Sequence, residues 1–269
     1  MSKTVLITGT SSGIGRETAL YFASKGWNVV ATMRNPGSRE TDLKGRDHID
    51  CVHLDVLDIE SVRKAVRFAR DKFGSIDVIV NNAGFATLGP FEASKKEQVQ
   101  KQFNTNVIGL MDITKEIIPV FREQKHGTII NVASMGGRVS FPFYSVYNST
   151  KWAVEGFSES LQYELRPFNI RIKVIEPGVI ETDFYGGSMD TFEDNSVEVY
   201  DSYLQNSKKK MGSMQSSKPI VVAETIFKAA NDKSWRLRYT AGNYARLLLF
   251  IRKLAPDQLL FSILRSQAF

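Results

Sequence analysis

Cysteine is almost absent: Cys51 is the single one in 269 residues. No internal disulfide can form, so the expectation is a reducing compartment, the cytoplasm. Long apolar runs are missing as well. The nearest candidate, 247-LLLFI-251, is far shorter than the ~18 residues a membrane span requires and is flanked by Arg246, Arg252 and Lys253. The first apolar run, TVLITG from residue 4, has no charged leader or small-residue cleavage site around it and reads as a strand, not a targeting peptide. Internal repeats and low-complexity segments are lacking too. The net charge of +6 is scattered, with 208-KKK-210 the one short run. Without a basic stripe interleaved with aromatics, no nucleic-acid partner is expected. No residue is assigned to a metal.

What is present suits a globular α/β chain. Hydrophobic residues make up 42%, enough for a sizeable core. Short β-rich runs recur at 4–8, 28–33, 51–54, 77–80, 127–133, 170–176 and, more weakly, 237–241. Most are continuously apolar, as parallel strands covered on both faces should be. Amphipathic helical patterns lie between them. The clearest follows Asp58, a good N-cap, and stops at Gly74, with Ile59, Val62, Val66, Ala69 and Phe73 on one face. Repeated strand–helix–strand units predict one Rossmann-like domain over 1–269, a doubly wound parallel sheet of about seven strands flanked by helices. Two stretches break the pattern. Residues 183–218 carry no strand signal and suggest a lid with some helix of its own, or disorder. The tail 243–269 holds two short amphipathic segments separated by Pro256.

The first strand runs straight into 8-TGTSSGIG-15. Gly9, Gly13 and Gly15 let the backbone turn tightly and approach a ligand, and the next helix aims its free N–H groups at an anion. Ser11, Ser12 and Ile14 complete this candidate dinucleotide loop. The end of the second strand reports which dinucleotide is bound. In 31-ATMRNP-36, Met33 stands where an acid would accept ribose hydroxyls, and Arg34 follows it. A guanidinium binds a phosphate bidentately, so NADP is preferred over NAD.

The spacing Y-x-x-x-K occurs twice, as 21-YFASK-25 and 147-YNSTK-151. Chance alone supplies about 0.6 such matches in a chain of this composition, so the surroundings must decide. Tyr21 sits in the helix after the glycine loop, where residues face the sheet or solvent; that copy is packing plus a surface lysine. Tyr147 follows a strand ending at Ser134, where ligands bind in parallel sheets, and Tyr147 and Lys151 project from one helix face. Reducing a ketone needs a hydride for carbon and a proton for oxygen. A phenol has a pKa of ~10, and a cation ~4 Å away is worth about 4 kcal/mol, or roughly three pKa units. Lys151 and an oxidised nicotinamide would thus bring Tyr147 near neutrality against the opposing cost of desolvation. Ser134 would orient the carbonyl.

With these residues the chain resembles the short-chain dehydrogenase/reductase family over about residues 3–183. The motifs come in order: TGTSSGIG, 54-LDV-56, 81-NNAG-84, 104-NTNVIG-109, Ser134, 147-YNSTK-151 and 177-PGVIETD-183. The resemblance implies that Ser134, Tyr147 and Lys151 are catalytic, with Asn106 holding a water that relays protons through Lys151. It implies cofactor contacts from Asp55 and Val56 to the adenine, from Asn82, Ala83 and Gly84 beside the sheet, and from Pro177, Gly178 and Thr182 near the nicotinamide. The stretches 28–36 and 143–165 are similar to the branch of hydroxysteroid dehydrogenases, retinol dehydrogenases and carbonyl reductases. That branch implies NADP(H), a lipophilic carbonyl or secondary alcohol, and a pocket lined by Phe141, Phe143 and residues of 183–218.

The resemblance further implies a homodimer or homotetramer. The tail is expected to pack over the substrate cleft, ahead of a subunit contact and, third, a membrane surface reached through its basic amphipathic character. Two other functions compete: a non-catalytic dinucleotide sensor or scaffold, and a fatty-acyl ketoreductase.

Overall fold

The computed structural model describes residues 2–37, 42–182 and 189–266. Seven runs pair in one parallel sheet: β1 (Thr4–Thr8), β2 (Asn28–Met33), β3 (Ile49–His53), β4 (Val78–Asn81), β6 (Gly127–Val132), β7 (Ile170–Pro177) and β9 (Arg238–Ala241). Their order is β3-β2-β1-β4-β6-β7-β9. The chain starts in the middle of the sheet, winds outward to β3, then crosses back to β4 on the other side of β1. Connections leaving β1 and β4 in opposite directions open a crevice at their carboxyl ends, the place where such sheets bind ligands.

The continuous apolar runs follow from cover on both faces. In β1, Val5 and Ile7 join the cluster beneath α1 (Gly13–Ser24) and α7 (Pro219–Asn231), while Leu6 faces α2 (Ile59–Phe73), α4 (Gly109–Gln124) and α5 (Ser145–Leu165). Phe22 anchors the first layer. It is wholly buried and meets the rings of Trp27 and Phe227 edge-on at 5.1 Å each; Phe22→Ala would cost about 3–5 kcal/mol. On the other layer α2 has the ends its sequence encodes: Asp58 accepts from the Glu60 N–H at 3.0 Å, and Gly74 closes the helix at φ +79°.

Between α3 (Lys96–Phe103) and α4 the helix does not break but widens into a π turn over Asn104–Ile108. Such turns cost helix geometry and tend to occur at functional sites. This one carries Asn106.

The segment 183–218 departs in part from expectation. Residues 183–188 lie outside the described residues, and α6 (Asp201–Gly212) supplies the anticipated helix. A strand was not expected, yet β8 (Met189–Thr191) pairs in parallel with β5 (Ala86–Leu88). Three half-exposed residues show no alternation, so their strand state depends on the partner. The tail forms α8 (Asn243–Leu254) and α9 (Asp257–Arg265), separated by Pro256 as the sequence indicates. Among the described residues no helix is long and apolar enough to cross a membrane.

Candidate active site

The glycine loop leaves β1 through Gly9 at φ +70° and enters α1 through Gly13 at φ +56°, both in the left-handed region that suits glycine. Gly15 is required for a different reason. A Cβ there would lie 2.2 Å from the Gly9 carbonyl oxygen and 2.5 Å from Asn82 Nδ2. The backbone therefore packs too tightly for any side chain at this position.

Asn82 stitches this loop to β4, its Nδ2 donating to the carbonyls of Thr8 at 2.9 Å and Gly9 at 3.2 Å. Thr8 Oγ1 in return accepts the N–H groups of Asn82 and Ala83, each at 3.0 Å. A cradle of bare backbone at a helix N-terminus fits the phosphates of a dinucleotide. Arg34, at the mouth of β2, is exposed. Asp55 closes a local turn, its Oδ1 accepting from the Leu57 N–H at 3.0 Å.

The other wall comes from β6 and α5. Ser134 follows β6 and caps a short turn, its Oγ accepting from the Gly136 N–H at 3.0 Å. Tyr147 lies in the first turn of α5. Lys151, one turn on, sits 5.8 Å from the centre of the Tyr147 ring and donates from Nζ to the Val132 carbonyl at 2.9 Å. Burial pushes the Lys151 pKa down to about 8, with Glu155 opposing, so the group is mostly an ammonium at neutral pH. One turn further, burial and then the neighbouring Glu176 push the Glu155 carboxyl up to about 7, while Arg238 donates to it at 2.8 Å. The Tyr21 copy is elsewhere: its ring meets Phe227 at 5.5 Å and carries exposed Lys25 over one face. It is packing, as the sequence indicates.

These walls enclose a cleft of about 420 Å³, within the range of small-molecule sites. Every residue singled out from the sequence borders it except Asn106 and Phe143. Asn106 is buried behind it. Its Nδ2 donates to the Phe85 carbonyl at 2.8 Å and Thr150 Oγ1 at 3.2 Å, and its Oδ1 accepts from the Phe85 N–H at 3.1 Å. Both donors are thus spent on holding the 82–85 loop against α5. Phe143 does not line the cleft as expected of a substrate contact. Its backbone takes φ +64° with its carbonyl accepting from the Gly89 N–H, and the side chain joins an apolar cluster with Phe141 and Tyr144.

Sequence reasoning missed Tyr144, Asn148 and Met135, which also border the cleft, whereas Met211 belongs to the 183–218 segment expected there. Tyr144 packs against Tyr147 at 6.2 Å between ring centres; its place three residues earlier on the same helical face was the available signal. The inner side of the tail reaches this region, with Ala245, Leu248, Leu260 and Leu264 packed on Met135, Phe141, Tyr144 and Val179.

Comparison with known proteins agrees with this arrangement. The short chain dehydrogenase family model matches residues 3–191. The chain is 34% identical to human retinol dehydrogenase 8 over 263 residues, covering 91% of this chain and 83% of that protein. Among solved structures, ElxO with NADP bound superposes with a TM-score of 0.74 at 29% identity, covering 90% of this chain and 97% of that one. A 3-ketoacyl-(acyl-carrier-protein) reductase from Brucella melitensis complexed with NADH gives a TM-score of 0.75 at 29% identity, covering 88% and 96%. The chain belongs to the short-chain dehydrogenase family, and with it to the NAD(P)-dependent oxidoreductases.

Proposed function

We propose that this oxidoreductase interconverts a lipophilic carbonyl and its secondary alcohol, using NADP(H) in preference to NAD(H), with Tyr147 as the general acid and base. The observation that carries the reading is the Lys151 ammonium, held at the Val132 carbonyl beside the Tyr147 ring, with Ser134 bordering the same glycine-lined cleft. The bound nicotinamide supplies or accepts the hydride. In reduction, Ser134 donates a hydrogen bond to the carbonyl oxygen and orients it. Tyr147 then gives its phenolic proton to that oxygen as charge develops there, and the Lys151 cation favours the resulting phenolate. Oxidation runs the same proton transfer backwards. Asn106, by the family resemblance, holds a water that relays protons through Lys151, while its amide holds Phe85 and Thr150 in place.

The cofactor preference rests on Arg34, exposed at the end of β2 with no carboxylate where a ribose would be read, and on the likeness to ElxO with NADP. The lipophilic substrate rests on Phe85, Met135, Phe141, Tyr144 and Met211 along the cleft and on the likeness to retinol dehydrogenase 8. We read the chain as one cofactor-binding domain whose lid includes the described residues 189–218. Its assembly is a homo-oligomer in the cytoplasm, with exposed Trp152 and Tyr163 on one face of α5 as the candidate subunit contact.

The test is Tyr147→Phe assayed on a panel of steroid, retinoid, aliphatic and aromatic carbonyls. Turnover should fall by at least ~10²-fold while NADPH binding, read by fluorescence titration, is unchanged. Equal turnover in the variant refutes the acid–base role. A wild-type protein that binds NADPH but turns over nothing would favour a sensor.

A further inference from the structure

The tail has two sides, and only the inner one is used by the chain itself. On α8, Leu247, Phe250 and Leu254 recur at spacings of three and four on one stripe and are 61%, 61% and 66% exposed. Leu259 and Phe261 of α9 add two more apolar side chains at over half exposure. Beside the stripe, Arg246 and Lys253 form the basic flank of α8. With Phe250 they border a second cavity of about 700 Å³, whose other walls include Lys228 and Arg236.

The acids near this cavity are already committed. Glu176 accepts from Arg138 Nη1 at 3.2 Å and from Thr240 Oγ1 at 2.9 Å, and Glu155 and Glu159 pair with Arg238. Among the described residues no carboxylate pairs with Lys228, Arg236, Arg246 or Lys253. Four uncompensated cations therefore surround a cavity that opens beside an exposed apolar ridge.

We propose that the outer face of α8 and α9 docks on an anionic phospholipid bilayer, with Leu247, Phe250 and Leu254 at the acyl boundary and lipid headgroup anions beside the Arg246–Lys253 flank. The combination of a ridge of Leu and Phe with cations along one side is that of a helix lying in an interface. Its charge decides against a second copy of the chain. A two-fold contact that packs α8 antiparallel on its copy would set each basic flank against its own equivalent. A parallel one would offer the flank no free acid, because the one acid on these helices, Asp257, is already paired with Arg252. The sequence ranked membrane contact behind cover of the cleft. The structure lets one element serve both, because the inner residues Ala245 and Leu248 face the cleft and leave the opposite side free.

The experiment is vesicle flotation of the full chain on phosphatidylcholine with and without phosphatidylserine, at low and high salt. The wild type should float with the anionic vesicles and be released by salt. Arg246→Glu/Lys253→Glu should lower the partition coefficient by about tenfold or more, and Leu247→Ser/Phe250→Ser/Leu254→Ser should abolish flotation. Turnover of a water-soluble ketone should be unchanged in both variants, which shows that they are folded. Flotation needs no turnover, so it stands or falls separately from the proposed reaction. Three results would overturn the proposal: equal or no flotation on the two vesicle types, flotation of the triple variant like wild type, or a wild-type dimer that the triple variant converts to monomer without any vesicle binding. Retention of inorganic phosphate with no flotation would also overturn it.

Discussion

Replacing Lys151 by Met should stabilise the protein at neutral pH relative to high pH while removing its activity. Burial lowers the ammonium from 10.5 to about 8, and at 1.36 kcal/mol per unit that stores about 3 kcal/mol of unfavourable free energy in the folded state. Below pH 8 both folded and unfolded chains carry the proton, so the penalty is fully present and flat. Between 8 and 10.5 the folded lysine has lost its proton while the unfolded one still holds it. The unfolded state then binds more protons, and stability rises with pH. The wild type should gain about 2 kcal/mol on the Met variant between pH 7 and 9.5, and ~3 kcal/mol by pH 10.5. Met is close in volume and linear, which limits packing effects. The lost bond to the Val132 carbonyl is a nearly constant offset that cancels in the pH difference. Making both proteins in a Glu155→Gln background removes the neighbouring carboxyl, whose own titration near pH 7 would overlap. Because that carboxyl raises the lysine's pKa, its loss moves the transition to lower pH and makes these gains lower bounds. Urea unfolding followed by tryptophan fluorescence measures the difference. Stability curves that run parallel from pH 7 to 10.5 would refute the buried-ammonium reasoning.

Three other outcomes follow from the same geometry. Glu155→Gln alone should flatten the acid limb: the folded carboxyl titrates near 7 instead of 4.5, so the wild type loses up to about 3 kcal/mol between those values as pH rises; an unchanged slope in urea unfolding would contradict this. Gly15→Ala should weaken NADPH binding by about tenfold or more, because contacts at 2.2 and 2.5 Å cost about 1–3 kcal/mol in an unyielding backbone, against at most ~1 kcal/mol of gained helix propensity; fluorescence titration decides. Arg34→Ala should raise the KM for NADPH by about 10–100-fold through loss of a charge-assisted contact and change that for NADH little; equal effects on both cofactors would remove Arg34 from the phosphate role.

The sequence made the sheet and most of the cleft legible because both rest on short-range rules. A continuous apolar run such as that of β1 can be satisfied only between two layers, and glycines at 9, 13 and 15 after such a run have few explanations besides close backbone approach. The Tyr–Lys pair was separated from its decoy by position alone: one copy follows a strand end, the other a phosphate-facing helix start. What stayed illegible depends on partners distant in sequence. β8 is a strand only because Leu88 and its neighbours lie beside it. Phe143 looked like a pocket residue by type, but its left-handed backbone turns it into the apolar cluster. Asn106 occupies the expected motif, and nothing local indicates that its amide would be consumed by Phe85 and Thr150.

The same distinction explains why the charged cluster behind α5 escaped notice. Glu155, Glu176, Arg138 and Arg238 come from four separate places in the chain, and each alone reads as a solvated charge. Folding gathers them one helical turn from Lys151, with Arg138 following the Ser134 turn and Glu176 preceding Pro177 and Gly178 of the cofactor cleft. The two carboxyl groups are nearly buried, at 4% and 3% side-chain exposure, so removal of Arg238 would push the Glu155 pKa further up, while Glu176 would keep Arg138 and Thr240. The cluster thus ties together the segments that carry Ser134, Lys151 and the Pro177–Gly178 loop through ion pairs that no linear motif contains.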